Sequence, residues 1–103
     1  MRIISPKKLR EFADRYPEAD APLKAWSKFV RKNRFGSMVD LKRTFRGVDL
    51  VSVKRGDRRI DYFVFNLGGN KYRLIARIDF NTQTLFVRDL LTHQDYDREK
   101  WKR

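Results

Sequence analysis

The chain has 103 residues, of which 41% are hydrophobic and 14% aromatic, so its length and apolar content favour one folded domain over residues 1–103. Because it contains no cysteine, disulfides and thiolate metal sites are excluded, which is typical of a reducing compartment. Its 25 lysines and arginines against 13 aspartates and glutamates give a net charge of +12, which favours nucleic acid or the ribosome as a partner over a merely solubilising basic surface.

The first residues, MRIISPKKLREF, lack the apolar run of a signal peptide. No stretch approaches the ~20 apolar residues that a membrane span requires. The predicted N-terminal helices are basic and amphipathic, but their apolar faces are better used as core than as a membrane-binding surface. We therefore expect a cytoplasmic protein without a membrane partner.

The N-terminal third predicts a short edge strand over residues 1–4 and then two helices. Ser5 and Pro6 are suited to the N-cap and first position of the first helix, which Pro17 ends. Its apolar face consists of Leu9, Phe12, Ala13 and Tyr16. The second helix begins near residues 20–22, and its apolar stripe, with Trp26 and Phe29 expected in the core, consists of Leu23, Trp26, Phe29 and Val30. Its basic face, which suits either RNA contact or plain solvation, consists of Lys24, Lys28, Arg31 and Lys32.

Residues 35–47 are the least regular part of the sequence. Gly36 and Ser37 interrupt regular structure, and residues 38–45 predict one short helix with Leu41 and Phe45 facing inward. The segment is interpreted either as a mobile linker or as a surface that a partner orders.

From Val48 the pattern changes to that of strands. A strand at residues 50–53 leads through a polar turn at residues 54–59, around Gly56 and Asp57, into a strand at residues 60–65 that is apolar on both faces and therefore central. Gly68 and Gly69 predict a hairpin turn. In the strand at residues 71–80 one face carries Tyr72, Leu74, Ala76, Ile78 and Phe80, and the other Arg73, Ile75, Arg77 and Asp79. The last strand, residues 85–91, is predicted to place Phe86, Arg88 and Leu90 on one face.

Thr92 is a plausible cap for a final short helix that carries His93, Tyr96, Asp97 and Lys100. The order of elements predicts an α+β fold. In it, the N-terminal helices pack on one face of an antiparallel meander, and a short helix follows the last strand.

Arg73 and Arg77 project from one strand face about 13 Å apart, at roughly 3.3 Å per residue, which suits neighbouring phosphates better than one. Arg88 on the next strand joins them if the register allows. Such a face must be open to solvent, paired internally or used for an anion, since unpaired buried arginines are costly. The internal partners on offer are Asp61, Asp79 and Asp89.

His93 is the only histidine and can exchange a proton near neutral pH, although a lone histidine is more often structural. On a helix it shares one side with Tyr96, Asp97 and Lys100. RNA cleavage by 2′-hydroxyl attack needs a proton acceptor, a proton donor and cations for the phosphate charge. His, Tyr and Lys or Arg side chains can supply these without a metal, and one histidine without cysteine makes a zinc site implausible.

These residues resemble HigB-type toxins of type II toxin–antitoxin systems, within the RelE-like superfold. The resemblance covers essentially the whole chain and depends mainly on two elements together. They are Phe65-Asn66-Leu67-Gly68-Gly69-Asn70 and Thr92-His93-x-x-Tyr96-Asp97, accompanied by Arg73, Arg77, Phe80 and Arg88. Asp95 stands where such toxins often carry an acidic residue before the tyrosine.

The resemblance implies an mRNA interferase, a ribosome-dependent endoribonuclease that uses 2′-hydroxyl attack and no cofactor. It also implies a HigA-type antitoxin with a helix-turn-helix domain, through which alone the pair would bind operator DNA. The predicted catalytic residues are Arg73, Arg77, His93 and Tyr96, although relatives of this fold differ in which side chains do the chemistry. The predicted RNA-binding residues are Arg88, Lys100, Lys71, Lys24, Lys28 and Arg31. The alternative is a non-catalytic basic module that binds RNA or the ribosome, or a corepressor.

Overall fold

The computed structural model describes residues 1–4 and 6–102. Its helices are α1 (Pro6–Arg15), α2 (Asp20–Lys32), α3 (Met38–Thr44) and α4 (His93–Asp97), with single 3-10 turns at Pro17–Ala19 and Lys100–Lys102. Its strands are β1 (Arg2–Ile4), β2 (Asp49–Arg55), β3 (Arg58–Leu67), β4 (Tyr72–Asp79) and β5 (Thr84–Thr92). Ser5, the predicted N-cap, lies outside the described residues, but α1 begins at Pro6 and ends before Pro17 as predicted.

All five strands form one sheet in the order β1-β5-β4-β3-β2. The meander from β2 to β5 is antiparallel, which confirms the predicted α+β fold, and β1 is the predicted edge strand. β1 runs parallel to β5, and the helices that follow β1 carry the chain to β2 at the opposite edge of the sheet. The sheet is therefore mixed rather than a pure meander.

The turns match the sequence in position but not always in extent. Gly68 and Gly69 both have a φ of 60° in the β3–β4 turn, a conformation that glycine adopts without strain. The predicted polar turn at residues 54–59 is shorter than expected. Lys54 pairs with Arg59 and Arg55 with Arg58, which leaves Gly56 and Asp57 as a two-residue hairpin loop.

The three N-terminal helices cover one face of the sheet and bury the larger core. Trp26 is 3% exposed and packs edge-on against Phe65 of β3, as predicted. The prediction that Phe29 lies in the core is wrong, because this side chain is 56% exposed. Its ring lies at the edge of the core, with its centroid 6.4 Å from that of Phe45. The buried stripe of α2 runs through Leu23, Trp26, Ser27 and Val30, and Phe29 lies to one side of it.

The irregular segment between α2 and α3 is anchored to the core through Phe35, whereas its other residues are exposed. Phe35 is buried, and its N–H and C=O bond the amide of buried Gln83 at 3.0 and 2.7 Å. The same amide donates to the carbonyl of Phe80 at 2.8 Å. Leu41 of α3 is fully buried, and Phe45, directly after the helix, is half-buried, so both face inward as predicted.

A bulge in β5 changes which residues share a face. Ile75 of β4 pairs with Asp89 whereas Ala76 pairs with Val87, so Arg88 has no partner on β4. The predicted common face for Phe86, Arg88 and Leu90 is therefore wrong, since one extra residue reverses the alternation beyond it. Leu90 faces the helix-covered core, and Phe86 lies opposite Arg77 on the other face. The predicted alternation along β4 is confirmed.

The second face of the sheet carries a smaller apolar cluster, which the C-terminal segment covers. Its buried members are Val53, Tyr62, Val64, Ile75 and Trp101. Trp101 belongs to the 3-10 turn Lys100–Lys102. The prediction that Lys100 lies on the final short helix is therefore wrong. We call this side of the molecule the open face, because no N-terminal helix packs on it. None of the helices within residues 1–4 and 6–102 is long and apolar enough to cross a membrane.

Candidate functional site

The candidate site lies on the open face, where the β3–β4 turn meets the start of α4. The N–H of His93 donates to the carbonyl of Lys71 at 2.8 Å and so ties the helix to the turn. The Thr92 hydroxyl caps α4 by accepting from the N–H of Asp95 at 3.2 Å, as predicted. These two bonds bring α4, with His93 and Tyr96, against the first residues of β4.

Arg73 and Tyr96 are in direct contact. The guanidinium carbon of Arg73 lies 5.7 Å from the centre of the Tyr96 ring, within the range of a cation–π interaction. Its Nη1 donates to the carbonyls of Asn70 and Tyr72 at 2.9 and 3.2 Å, which fixes the guanidinium against the turn. Since arginine has five N–H donors, most remain available to a phosphate.

Tyr96 is held from its other side by Trp101. The two rings are stacked, with centroids 5.4 Å apart and planes 16° apart, and Trp101 packs edge-on against Tyr62 of β3. Burial raises the pKa of Tyr96 above its ordinary value of 10, and the carboxylate of Asp49 adds to that rise. Lys102 and Arg73 oppose the rise. The Tyr96 hydroxyl is therefore protonated at neutral pH and is suited to donating a proton rather than accepting one.

His93 and Asp97 form a pair one helical turn apart. Nδ1 of His93 lies 3.4 Å from a carboxylate oxygen of Asp97, and both side chains are more than half exposed. A carboxylate at Nδ1 favours a proton on that nitrogen and leaves Nε2 as the acceptor. The pair lies on the helix that also carries Tyr96, three residues after His93.

Arg88 and Arg77 lie further along the open face. Nε of Arg88 donates to the Tyr62 hydroxyl at 3.4 Å, and its guanidinium carbon is 5.7 Å from the Tyr62 ring. Arg77 is exposed and lies opposite Phe86 in the β4–β5 pairing. Arg73, Arg88 and Arg77 therefore form a row of cations along the open face, which we call the arginine row.

The internal pairing considered for these arginines does not occur in the described part of the chain. The carboxylate of Asp61 accepts from Ser52 and lies 4.0 Å from Arg59. Asp79 accepts the backbone N–H groups of residues 81 and 82, and Asp89 that of residue 90. The predicted acidic partners are thus engaged elsewhere, which leaves the arginine row open to an external anion.

The remaining predicted RNA-binding residues are dispersed. Lys71 makes an ion pair with Glu18 at 3.2 Å, and Lys100 is exposed in the C-terminal 3-10 turn. Lys24, Lys28 and Arg31 lie on α2, on the side of the sheet away from Tyr96, and Lys24 pairs with Asp20 at 2.9 Å. The structure therefore brings Arg73 into contact with Tyr96 of α4, the helix that also carries His93. It places Arg77 on β4 and Arg88 on β5 along the same face, and it separates all of these residues from the α2 lysines.

Three contributors to the site were missed or undervalued in the sequence. Trp101 supports Tyr96, although its neighbours are all charged and its segment resembles a solvated tail. Asn66 is paired directly with Arg73, a register that the hairpin turn alone could have supplied. Asp49 influences Tyr96 from β2, and nothing in the linear sequence signals that approach.

Comparison with known proteins identifies the family. Residues 19–99 match the family model described as HigB_toxin, RelE-like toxic component of a toxin-antitoxin system. The chain is 33% identical over 97 residues to the mRNA interferase toxin HigB of Escherichia coli K12, covering 94% of this chain and 88% of that protein. An mRNA interferase HigB of Shigella flexneri gives the same values, and one of E. coli O6:H1 is 26% identical over 95% of this chain and 90% of that protein. The chain therefore belongs to the HigB family of RelE-like toxins, the toxic components of toxin–antitoxin systems.

Proposed function

We propose that this toxin is a ribosome-dependent mRNA endonuclease that stops translation. The names of its relatives, which are mRNA interferases, support the activity, and the net charge of +12 supports a polyanionic substrate. The observation that carries the proposal is the contact between Arg73 and Tyr96 beside the His93–Asp97 pair. It combines a fixed cation, a phenol and an imidazole, which can supply the charge stabilisation and the two proton-transfer groups that 2′-hydroxyl attack requires.

The proposed reaction needs no metal and assigns a different role to each group. Nε2 of His93 takes the proton of the 2′-hydroxyl, whose oxygen attacks phosphorus. As the bond from phosphorus to the 5′ oxygen breaks, Tyr96 donates its proton to that oxygen. Arg73 and Arg77 stabilise the charge that develops on the phosphoryl oxygens. The products are a 2′,3′-cyclic phosphate and a 5′-hydroxyl, and Tyr96 is assigned as the acid because its hydroxyl carries a proton at neutral pH.

Arg88 and Lys100 are proposed to contact the RNA backbone beside the scissile phosphate. Lys71 can join them once it leaves Glu18. Lys24, Lys28 and Arg31 lie on the opposite side of the sheet, so any contact that they make is proposed to be with another part of the ribosome than the cleaved mRNA.

We further propose that a HigA-type antitoxin neutralises this activity in the cytoplasm. The family description, a toxic component of a toxin–antitoxin system, supports such a partner. In this proposal the toxin reaches operator DNA only through the antitoxin's helix-turn-helix domain. Copurification of the two proteins and operator-shift assays with each alone would test the assignment.

The proposed activity can be tested by inducing the toxin without an antitoxin and mapping new mRNA ends. Wild type should arrest growth and create 5′-hydroxyl ends, which require a kinase before ligation. Arg73→Ala, His93→Ala and Tyr96→Phe should each lower cleavage by roughly a hundredfold or more, because each removes a charge or proton-transfer group from the transition state. Lys7→Ala, which removes an exposed lysine of α1 from the helix-covered side of the sheet, is the matched control and should cleave as wild type does.

Two results would contradict the proposal in different ways. If all three site variants cleave and arrest growth normally, the site is elsewhere. If the wild type binds RNA tightly but produces no new ends with free mRNA or with mRNA on ribosomes, the protein is a non-catalytic binding module. Cleavage of free mRNA at the same rate as ribosome-bound mRNA would remove the ribosome dependence alone.

A further inference from the structure

Phe86 is an aromatic side chain that the fold leaves uncovered. It is 43% exposed on β5, although the residues on either side of it, Leu85 and Val87, are buried. The apolar cluster of the open face, built around Tyr62 and Trp101, does not include it. Because of the bulge at Arg88, Phe86 and Leu90 point to opposite faces of the sheet, and Phe86 lies on the open face.

Phe86 is paired with Arg77 of β4 on one side and with Ile4 of β1 on the other. Phe86 and Arg77 are directly paired, so their Cβ atoms are about 5 Å apart on the same face. Within residues 1–4 and 6–102 the guanidinium of Arg77 makes no hydrogen bond or ion pair, and Asp79 uses a carboxylate oxygen for its own turn. The two side chains line a groove of about 400 Å³ with Ile78 and Asp79.

We propose that Phe86 and Arg77 form a nucleotide subsite for single-stranded RNA, in which a base stacks on the Phe86 ring and its phosphate binds Arg77. This inference rests on the proposed function. It adds a second contact with the RNA at Arg77, about four residues along β4 from Arg73, which contacts Tyr96. Single-stranded RNA is held by aromatic stacking platforms next to cations, because every base has a flat face and every linkage a charge. The arginine row joins the two ends of this path, with Arg73 and Tyr96 at one end and Arg77 and Phe86 at the other.

The charges favour RNA over a protein segment as the occupant. Phe86 shares its face with Arg73, Arg77 and Arg88, none of which has a carboxylate partner in the described part of the chain. The carboxylate that lines the same groove, Asp79, accepts the backbone N–H groups of residues 81 and 82 instead. An apolar protein segment would gain from Phe86 but would have to cover these guanidinium groups. A nucleotide satisfies the ring and a cation together.

The test is the affinity for an RNA oligonucleotide that is 2′-O-methylated throughout, so that attack by the 2′ oxygen is blocked. Phe86→Ala should weaken binding about tenfold, as expected for the loss of one stacked base. Phe86→Trp should retain the affinity, whereas Phe86→Leu should lose most of it despite keeping apolar bulk. Phe29→Ala removes an exposed ring from the opposite side of the sheet and should change nothing.

A scan with one abasic nucleotide at a time distinguishes stacking from a general effect on the fold. In the wild type one position should lose about tenfold on removal of its base, and in Phe86→Ala that same removal should cost little. Additive losses in the double change, or an unchanged affinity in Phe86→Ala, would overturn the subsite. If Phe86→Ala instead weakens only antitoxin binding, the face belongs to a protein partner. Because this assay measures binding, it can succeed even if wild type fails to cleave mRNA, and it can fail while cleavage is intact.

Discussion

The two faces of the sheet differ in how much apolar surface they bury and in how much charge they expose. The face under α1, α2 and α3 is closed by large apolar side chains such as Phe65, Leu74 and Leu85, each at most 1% exposed. The open face buries only a small cluster around Tyr62 and Trp101, and cations surround it. One face is thus filled with packed apolar volume, whereas the other presents cations and is the face to which the proposed function assigns the proton chemistry. Stability should therefore depend mainly on the first face and activity on the second.

Leu74 and Arg73, which are neighbours on β4, offer the most direct test of this division between stability and activity. Leu74 is fully buried under the helices, so Leu74→Ala should lower the free energy of unfolding by about 4 kcal/mol, the sum of lost transfer energy and a cavity. Arg73→Ala, one residue away, should cost at most about 1 kcal/mol, the range of a cation–π contact. Urea denaturation measures both changes.

The cleavage rate per folded molecule should show the reverse order for the same two variants. Leu74→Ala should retain the rate at a temperature where it is folded, whereas Arg73→Ala should lose it. If Leu74→Ala abolishes cleavage while folded, or Arg73→Ala unfolds the protein, stability and activity are not divided between the faces.

Substitution of Trp101 should have the next largest effect, because this ring contributes to stability and also supports Tyr96. Trp101→Ala should cost about 3 kcal/mol of stability, as expected for a large buried ring. It should also slow cleavage, because Tyr96 loses the ring on which it stacks. Calorimetry and a cleavage assay on the same sample measure the two losses.

Trp101→Phe is the matched control for this prediction. The indole Nε1 is buried without a hydrogen-bond partner in the described residues, so its removal costs no hydrogen bond. Most of the stability and the stacking should therefore return in Trp101→Phe. A cleavage rate unaffected by Trp101→Ala would show that Tyr96 does not need this support.

The helix-covered face could be predicted largely from hydrophobic periodicity. Along β4 the alternation is regular, so the assignment of Leu74 inward and Arg73 outward needed only the period of a strand. Prediction from periodicity failed at Phe29, because an apolar residue beside a buried stripe cannot be told from a member of the stripe until the packing partner is known. Prediction from periodicity also failed in β5, since the composition gives no sign of the bulge at Arg88.

The open face could be predicted only in part. Thr92 and the spacing of His93 and Asp97 are local features, and both were readable from the sequence. The contact between Arg73 and Tyr96 depends on the docking of α4 against the Lys71 carbonyl, which is a tertiary event. Trp101 lies among charged residues, and only the sheet surface that it covers explains its burial.

Tyr96 provides the smallest and most selective test, because its pKa reports the chemistry of the open face. The folded protein raises this pKa, through burial first and the Asp49 carboxylate second. A raised folded-state pKa means that the associated stability is fully present below the ordinary value of 10 and is lost as the pH rises through the folded-state pKa. Wild type should thus lose stability over that alkaline window, and Tyr96→Phe should lose less.

Asp49→Asn removes one cause of the rise, so the pKa of Tyr96 should fall toward 10 and the alkaline loss of stability should shrink. Asp97→Asn is the matched control, because Asp97 raises the same pKa less than Asp49 does. NMR titration of the Tyr96 ring carbon measures both shifts, and denaturation across the alkaline range measures the stability. A larger shift in Asp97→Asn than in Asp49→Asn would show that α4, rather than β2, sets the charge environment of the phenol. In that case the proton donor would be controlled by the His93–Asp97 pair itself, and the cleavage rate of Asp97→Asn should change its pH dependence more than that of Asp49→Asn.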